Sequence, residues 1–137
     1  MASIHRDIDV SASADEAWEA IADYGSVHHR VAPGFVVDCR LDGPDRIVTF
    51  GSGVIARERL VSCEPDRRRL VYSVVESPLA PTHHQASVHV IDTGQAGSCR
   101  LEWTTDVLPD DLAPTIGAMM DMAVGVMART LSAARQG

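Results

Sequence analysis

Arg46, Glu58, Tyr72 and His84 are the residues of this chain whose types and spacing could do chemistry together. Arg46 and Glu58 stand at matched distances on either side of Gly51-Ser52-Gly53, a tripeptide that reads as a hairpin turn. A three-residue loop there sets Phe50 opposite Val54, Val48 opposite Ala56 and Arg46 opposite Glu58, with all six on one face. The other face carries Ile47, Thr49, Ile55, Arg57 and Arg59 and suits solvent better. Carried across the next turn, the inner row takes in Leu60, Leu70, Tyr72 and Val74. In the last hairpin Ala86, Val88 and Val90 alternate with Gln85, Ser87 and His89, while Leu101, Trp103, Thr105 and Val107 alternate with Glu102, Thr104 and Asp106. His84 then joins the inner row near its end. A one-residue bulge would flip any assignment downstream of it.

The expected result is an apolar wall holding Arg46, Glu58, Tyr72, His84 and Thr105, the makeup of a small-molecule pocket. Each polar residue has a structural and a chemical reading. Arg46 and Glu58 form a cross-strand ion pair that satisfies both charges, since a buried arginine without a partner is costly. In the chemical reading Arg46 orients a carboxylate, phenolate or enolate and stabilises negative charge developing in an aldol-type cyclisation, with Glu58 tuning it or acting as a base. Tyr72 is either a packed ring with a satisfied hydroxyl or a proton donor. His84 is either a solvent-accessible residue at a strand end or a ligand contact able to exchange protons near neutral pH.

These side chains need elements to position them. Residues 3–11 alternate with the period of a half-buried strand, Ile4, Ile8 and Val10 on one side. Ser13-Ala14-Asp15-Glu16 is a capping box ahead of Ala17, Trp18, Ala20 and Ile21, so a helix is expected to run to about Tyr24-Gly25. A loop containing His28 and His29 follows. Strand-like runs then cover roughly 35–41, 45–50, 54–63, 69–76, 83–92 and 99–107, separated by short turns, which implies an antiparallel meander. From about Asp111 to Arg135 the period changes. Ile116, Met120, Ala123, Met127 and Leu131 trace one face of a long amphipathic helix. Met119, Met120, Met122 and Met127 lie on it, and Met120 and Met127 fit the inner stripe as adaptable contacts for an apolar ligand. The expected ligand wall is therefore Val48, Phe50, Val74, Val88, Trp103, Thr105, Ile116, Met120 and Met127.

Composition sets outer limits. The chain has 137 residues and a formal charge of -7, which argues for one domain over 1–137 and against a broad phosphate-binding surface. No nucleic-acid partner is expected. Apolar runs fall short of a membrane span, and the start lacks the apolar core of a signal peptide, so a cytoplasmic protein without stable membrane insertion is expected. Cys39, Cys63 and Cys99 are widely separated and suggest neither disulfides nor a zinc site. The pairs His28-His29 and His83-His84 complete no metal motif, because neighbours on a strand point to opposite faces. No nucleophile elbow, phosphate loop or dinucleotide fingerprint occurs, so no cofactor or metal is implied.

One strand, a short helix, six antiparallel strands and a long helix make an α+β chain with a sheet wrapped around its C-terminal helix. That order resembles the helix-grip fold of the START-like (SRPBCC, Bet v 1-like) superfamily. The local motifs resemble its polyketide cyclase/dehydrase branch: Ser13-Ala14-Asp15-Glu16-Ala17-Trp18-Glu19-Ala20-Ile21-Ala22-Asp23-Tyr24, Arg46-Ile47-Val48-Thr49-Phe50-Gly51 with Glu58-Arg59-Leu60, Arg69-Leu70-Val71-Tyr72, and Cys99-Arg100-Leu101-Glu102-Trp103. The resemblance implies a small apolar or aromatic molecule held between sheet and long helix. It leaves three alternatives: a lipid or polyketide binder, a cyclase or dehydrase working without metal or nucleotide, and a regulatory protein whose pocket is filled by side chains. A homodimer through outward apolar residues of the long helix also stays open.

Overall fold

The computed structural model describes residues 1–134. The elements are β1 (Ala2–Val10), α1 (Ala14–Ala22), a 3-10 turn (Tyr24–Ser26), α2 (Val27–Arg30), β2 (Val36–Asp42), β3 (Asp45–Phe50), β4 (Ile55–Glu64), β5 (Arg69–Glu76), β6 (His83–Asp92), β7 (Cys99–Leu108), a second 3-10 turn (Asp110–Leu112) and α3 (Ala113–Ala134). They build the expected helix-grip fold: one antiparallel sheet in the order β1-β7-β6-β5-β4-β3-β2, with α3 against its inner face. The meander follows from short turns between strands, and β1 closes the free edge of β7. No helix among the described residues is long and apolar enough to cross a membrane.

The capping box forms as the sequence predicts. Glu16 N–H donates to Ser13 Oγ at 3.1 Å, and Ser13 N–H donates to Glu16 Oε1 at 3.1 Å, a device that stabilises a helix start by about 1 kcal/mol. Trp18, Ala17 and Ile21 on α1 seal one end of the grip together with Leu70, Val90, Leu101 and Leu131. A second cluster of Ile4, Val107, Ile116 and Met120 joins β1 and β7 to the start of α3. The predicted stripe of α3 is the buried one, while Met122 is exposed. Arg135, the expected end of this helix, lies outside the described residues.

The structure departs from expectation in two places. α1 stops at Ala22 rather than near Tyr24-Gly25, and the segment read as a loop turns through Tyr24–Ser26 into α2. Tyr24 is thereby turned inward and buried. The sheet also carries bulges, at Val37 in β2, at Val61 in β4 and at Val75 in β5. The Val61 bulge matters most for position. From the Glu64/Arg69 end, Cys63 pairs with Leu70 and Ser62 with Val71, a register that would set Glu58 and Tyr72 on opposite faces. Skipping Val61 pairs Leu60 with Tyr72 and Glu58 with Val74, which brings all four onto the inner wall.

Candidate functional site

The β3–β4 hairpin has the expected register, Arg46 opposite Glu58 and Val48 opposite Ala56, and Phe50 N–H donates to the Val54 carbonyl at 2.8 Å. Its turn depends on glycine. Gly53 sits at φ +92°, and a side chain on Gly51 would meet the Gly34 carbonyl oxygen at 2.6 Å. This close passage lets Phe35 and Phe50 pack edge to face at 5.5 Å between centroids.

Arg46 and Glu58 are each 7% exposed. Arg46 Nε donates to Glu58 Oε1 at 2.8 Å, and Arg46 Nη1 donates to the Tyr24 carbonyl at 3.2 Å. The guanidinium carbon lies 4.0 Å from the Tyr24 ring centroid and 5.2 Å from that of Tyr72, so the cation is held between two aromatic faces. Burial works against the charge of Arg46, yet the pull of Glu58 and the two tyrosines outweighs it and holds the guanidinium above its usual range. Burial also pushes both tyrosine hydroxyls up, Tyr24 against the opposing effect of Arg46, so both rings stay neutral. Tyr24 was not among the residues singled out from sequence. Its hydroxyl donates to the Glu58 carbonyl at 3.0 Å, which ties the 3-10 turn after α1 to β4.

Tyr72 and His84 complete the cluster. Trp103 Nε1–H donates to Tyr72 Oη at 3.2 Å, which occupies an acceptor position and leaves the hydroxyl proton of Tyr72 to be directed elsewhere. The rings of Tyr72 and His84 lie 6.1 Å apart. His84 is half-buried and accepts the Val74 N–H on Nδ1 at 3.0 Å, so a neutral imidazole there carries its proton on Nε2. Burial lowers its pKa, with Glu58 opposing that shift.

The rest of the expected wall divides between the two clusters. Val48, Val88 and Met127 are buried in the main one, with Phe50 and Val74 half-buried beside it. Ile116 and Met120 belong to the second, and Trp103 touches both. Thr105 is buried beside them on β7. The inner wall is therefore fully buried under α1 and only partly buried at Phe50, Val74, His84 and Trp103. Two surface concavities lie elsewhere: one of about 390 Å3 along Ile47, Ile55, Arg57 and Glu76 on the outer face, and one of about 280 Å3 between Ser13-Ala14 and the Asp92–Ser98 turn. Neither touches the Arg46 cluster. His28 and His29 stack on each other at 3.8 Å, and His83 is exposed. Among the described residues no group of three His, Cys, Asp or Glu side chains could hold a metal ion.

Comparison with known proteins places this geometry. A search of curated proteins finds no match. Solved structures do match over almost the whole chain. A protein from Thermobifida fusca is 26% identical, covering 98% of this chain and 95% of that one with a TM-score of 0.79. A START superfamily protein from Mycobacterium smegmatis is 13% identical, covering 98% and 97% with a TM-score of 0.74. Norcoclaurine synthase from Thalictrum flavum, in complex with dopamine and hydroxybenzaldehyde, is 20% identical, covering 96% and 84% with a TM-score of 0.73. The model of one family spans residues 1–136, and by that match the chain belongs to the polyketide cyclase / dehydrase and lipid transport family.

Proposed function

We propose that this chain binds a small apolar or aromatic molecule between the sheet and α3, at the partly buried end of the inner wall. The observation that carries the reading is the polar cluster set into an apolar wall: Arg46 and Glu58 paired between the faces of Tyr24 and Tyr72, with half-buried His84 and Trp103 beside them. Such a wall takes up apolar surface, and its few fixed polar groups orient the ligand. Arg46 sets the electrostatics there, because its Nε and one Nη already serve Glu58 and Tyr24. Direct hydrogen bonds to the ligand fall to Tyr72 and His84. The family assignment agrees with ligand binding, and norcoclaurine synthase holds two aromatic molecules on the same fold.

A second reading, a cyclase or dehydrase, is favoured by one observation. Tyr72 keeps a proton to give while Glu58 stands on the same wall as a carboxylate, so donor and base are both present. In that reading Tyr72 or His84 polarises a ligand carbonyl, Glu58 takes a proton from the adjacent carbon, and the field of Arg46 favours the enolate.

Native mass spectrometry of the protein from its own host, followed by identification of the co-purifying molecule, tests the binding reading. The expected result is a stoichiometric apolar or aromatic adduct that weakens in Tyr72→Phe and His84→Ala. A mass equal to the bare chain, together with no displacement or enhancement of 1-anilinonaphthalene fluorescence, would overturn it. Recovery of an identified ligand chemically unchanged would leave a carrier, and turnover at rates indifferent to Glu58, Tyr72 and His84 would overturn the catalytic roles given to them.

A further inference from the structure

β5 and β6 form a ladder over only part of their length. Arg69 pairs with His89, Leu70 with Val88, Val71 with Ser87 and Tyr72 with Ala86, and there the pairing ends. Beyond Tyr72 the two strands are joined by bonds that are not ladder bonds. The Ser73 hydroxyl donates to the His84 carbonyl, and the Val74 N–H donates to Nδ1 of the His84 ring at 3.0 Å. An imidazole stands where a strand would ordinarily offer a carbonyl. The difference is chemical: a carbonyl accepts at any ordinary pH, whereas Nδ1 accepts only while it carries no proton.

We propose that His84 is a proton-sensitive clamp between β5 and β6, closed when its ring is neutral and released when Nδ1 is protonated. Protonation turns Nδ1 from acceptor into donor, so it cannot face the Val74 N–H, and that amide loses its partner in a half-buried position. The sheet then opens beside Tyr72, at the partly buried end of the inner wall.

The surroundings decide when this happens. Facing His84 are Glu58 from β4, which favours the charged ring, and Tyr72 from β5, which stays neutral. His83 on β6 itself opposes the charge, Asp106 on β7 favours it, and Arg46 on β3 is paired with Glu58. Burial is the largest influence and favours the neutral ring, moving its titration below the ordinary 6.5. The clamp is thus closed at neutral pH and released as pH falls through the lowered His84 titration. Its energetic sign agrees: the unfolded chain binds the proton more readily, so the clamp's stabilisation is complete above about 6.5 and declines as pH falls through the folded value.

The test needs no ligand, so it stands or falls apart from the binding proposal. Imidazole nitrogen NMR on the intact chain reads the His84 tautomer and its titration, and amide hydrogen exchange, corrected for intrinsic pH dependence, reads Val74. The expected result is an Nε2–H tautomer at pH 8 and loss of Val74 protection by about 5- to 10-fold with the His84 midpoint. Protection at Tyr72 and Ala86 should not follow that midpoint. His84→Ala should leave Val74 poorly protected at every pH, and His83→Asn should keep the transition. An Nδ1–H tautomer, or Val74 protection indifferent to the His84 titration, overturns the clamp. Simultaneous loss of protection across β5, β6 and β7 would also overturn it, since that is global unfolding.

Discussion

The two faces of the β3–β4 hairpin handle charge in opposite ways, although their charged residues are neighbours in sequence. Asp45 and Arg46 are adjacent, as are Arg57 and Glu58, and the pleat sends one of each pair outward and the other inward. On the outer face Asp45 is covered by two arginines. It accepts from Arg57 Nη1 at 2.9 Å and from Arg59 Nε and Nη2 at 2.9 and 3.2 Å, while Arg57 also reaches Asp42 at 3.0 Å. Asp45 is itself only 3% exposed, yet either of its arginine links has a substitute in the other arginine. On the inner face Glu58 has one guanidinium, and that guanidinium has one carboxylate, one carbonyl and two ring faces. The contrast teaches that redundancy, rather than burial or the number of ion pairs, separates a charge that tolerates the loss of one partner from a charge that does not.

The sharpest way to break the contrast is Arg46→Ala, which leaves Glu58 buried and alone. A loss of about 3–5 kcal/mol is expected in chemical denaturation. Stability equal to the parent would mean that Arg46 does not face the interior. The paired change Arg46→Met with Glu58→Leu should recover most of that loss, because two apolar side chains need no partner. Next in size is Trp103→Phe, which removes the indole N–H from the Tyr72 hydroxyl and should cost about 1 kcal/mol. A near-UV spectrum that leaves the Tyr72 environment unaltered would contradict the shared hydrogen bond.

The smallest effect belongs to the outer face. Arg59→Ala should move the melting temperature least, since Arg57 stays on Asp45. Hydrogen bonds from Arg59, then Arg57, hold the Asp45 carboxyl below its ordinary 3.8. A depressed carboxyl stabilises the fold above its unfolded value and loses that contribution as pH falls through its folded one. The gap between the parent and Asp45→Asn should therefore be constant from about pH 5 to 8 and close only in strong acid. A gap that closes near neutrality would point to another group.

The register of the hairpin was legible because a glycine-rich turn pins two strands whose alternation is clear. That alternation alone places Arg46, Val48, Phe50, Ala56 and Glu58, and helical spacing alone places the buried stripe of α3. Neither places Tyr24. Its spacing continues the apolar face of α1, and nothing local reveals that the helix ends at Ala22 and turns the ring toward Arg46. The bulges were equally silent, since Val37, Val61 and Val75 suit either face of a strand and each was free to be read as one more alternating residue. Only pairing partners distant in sequence decide which valine is skipped. The placement of Tyr72 on the inner wall thus followed from a correct parity whose cause, the Val61 bulge, was not visible.

The Val37 bulge has a consequence for the behaviour of the protein in concentrated solution. β2 is an outer strand, and its free side presents backbone groups that could template another chain. A bulged residue bends and twists such a strand away from flatness, and Asp38, Arg40 and Asp42 beyond it are exposed and charged. Docking a second strand along this border would have to unbend the first and take these charges out of water. The irregularity that interrupts pairing with β3 thereby protects the sheet against edge-to-edge aggregation, with Val37 as its pivot.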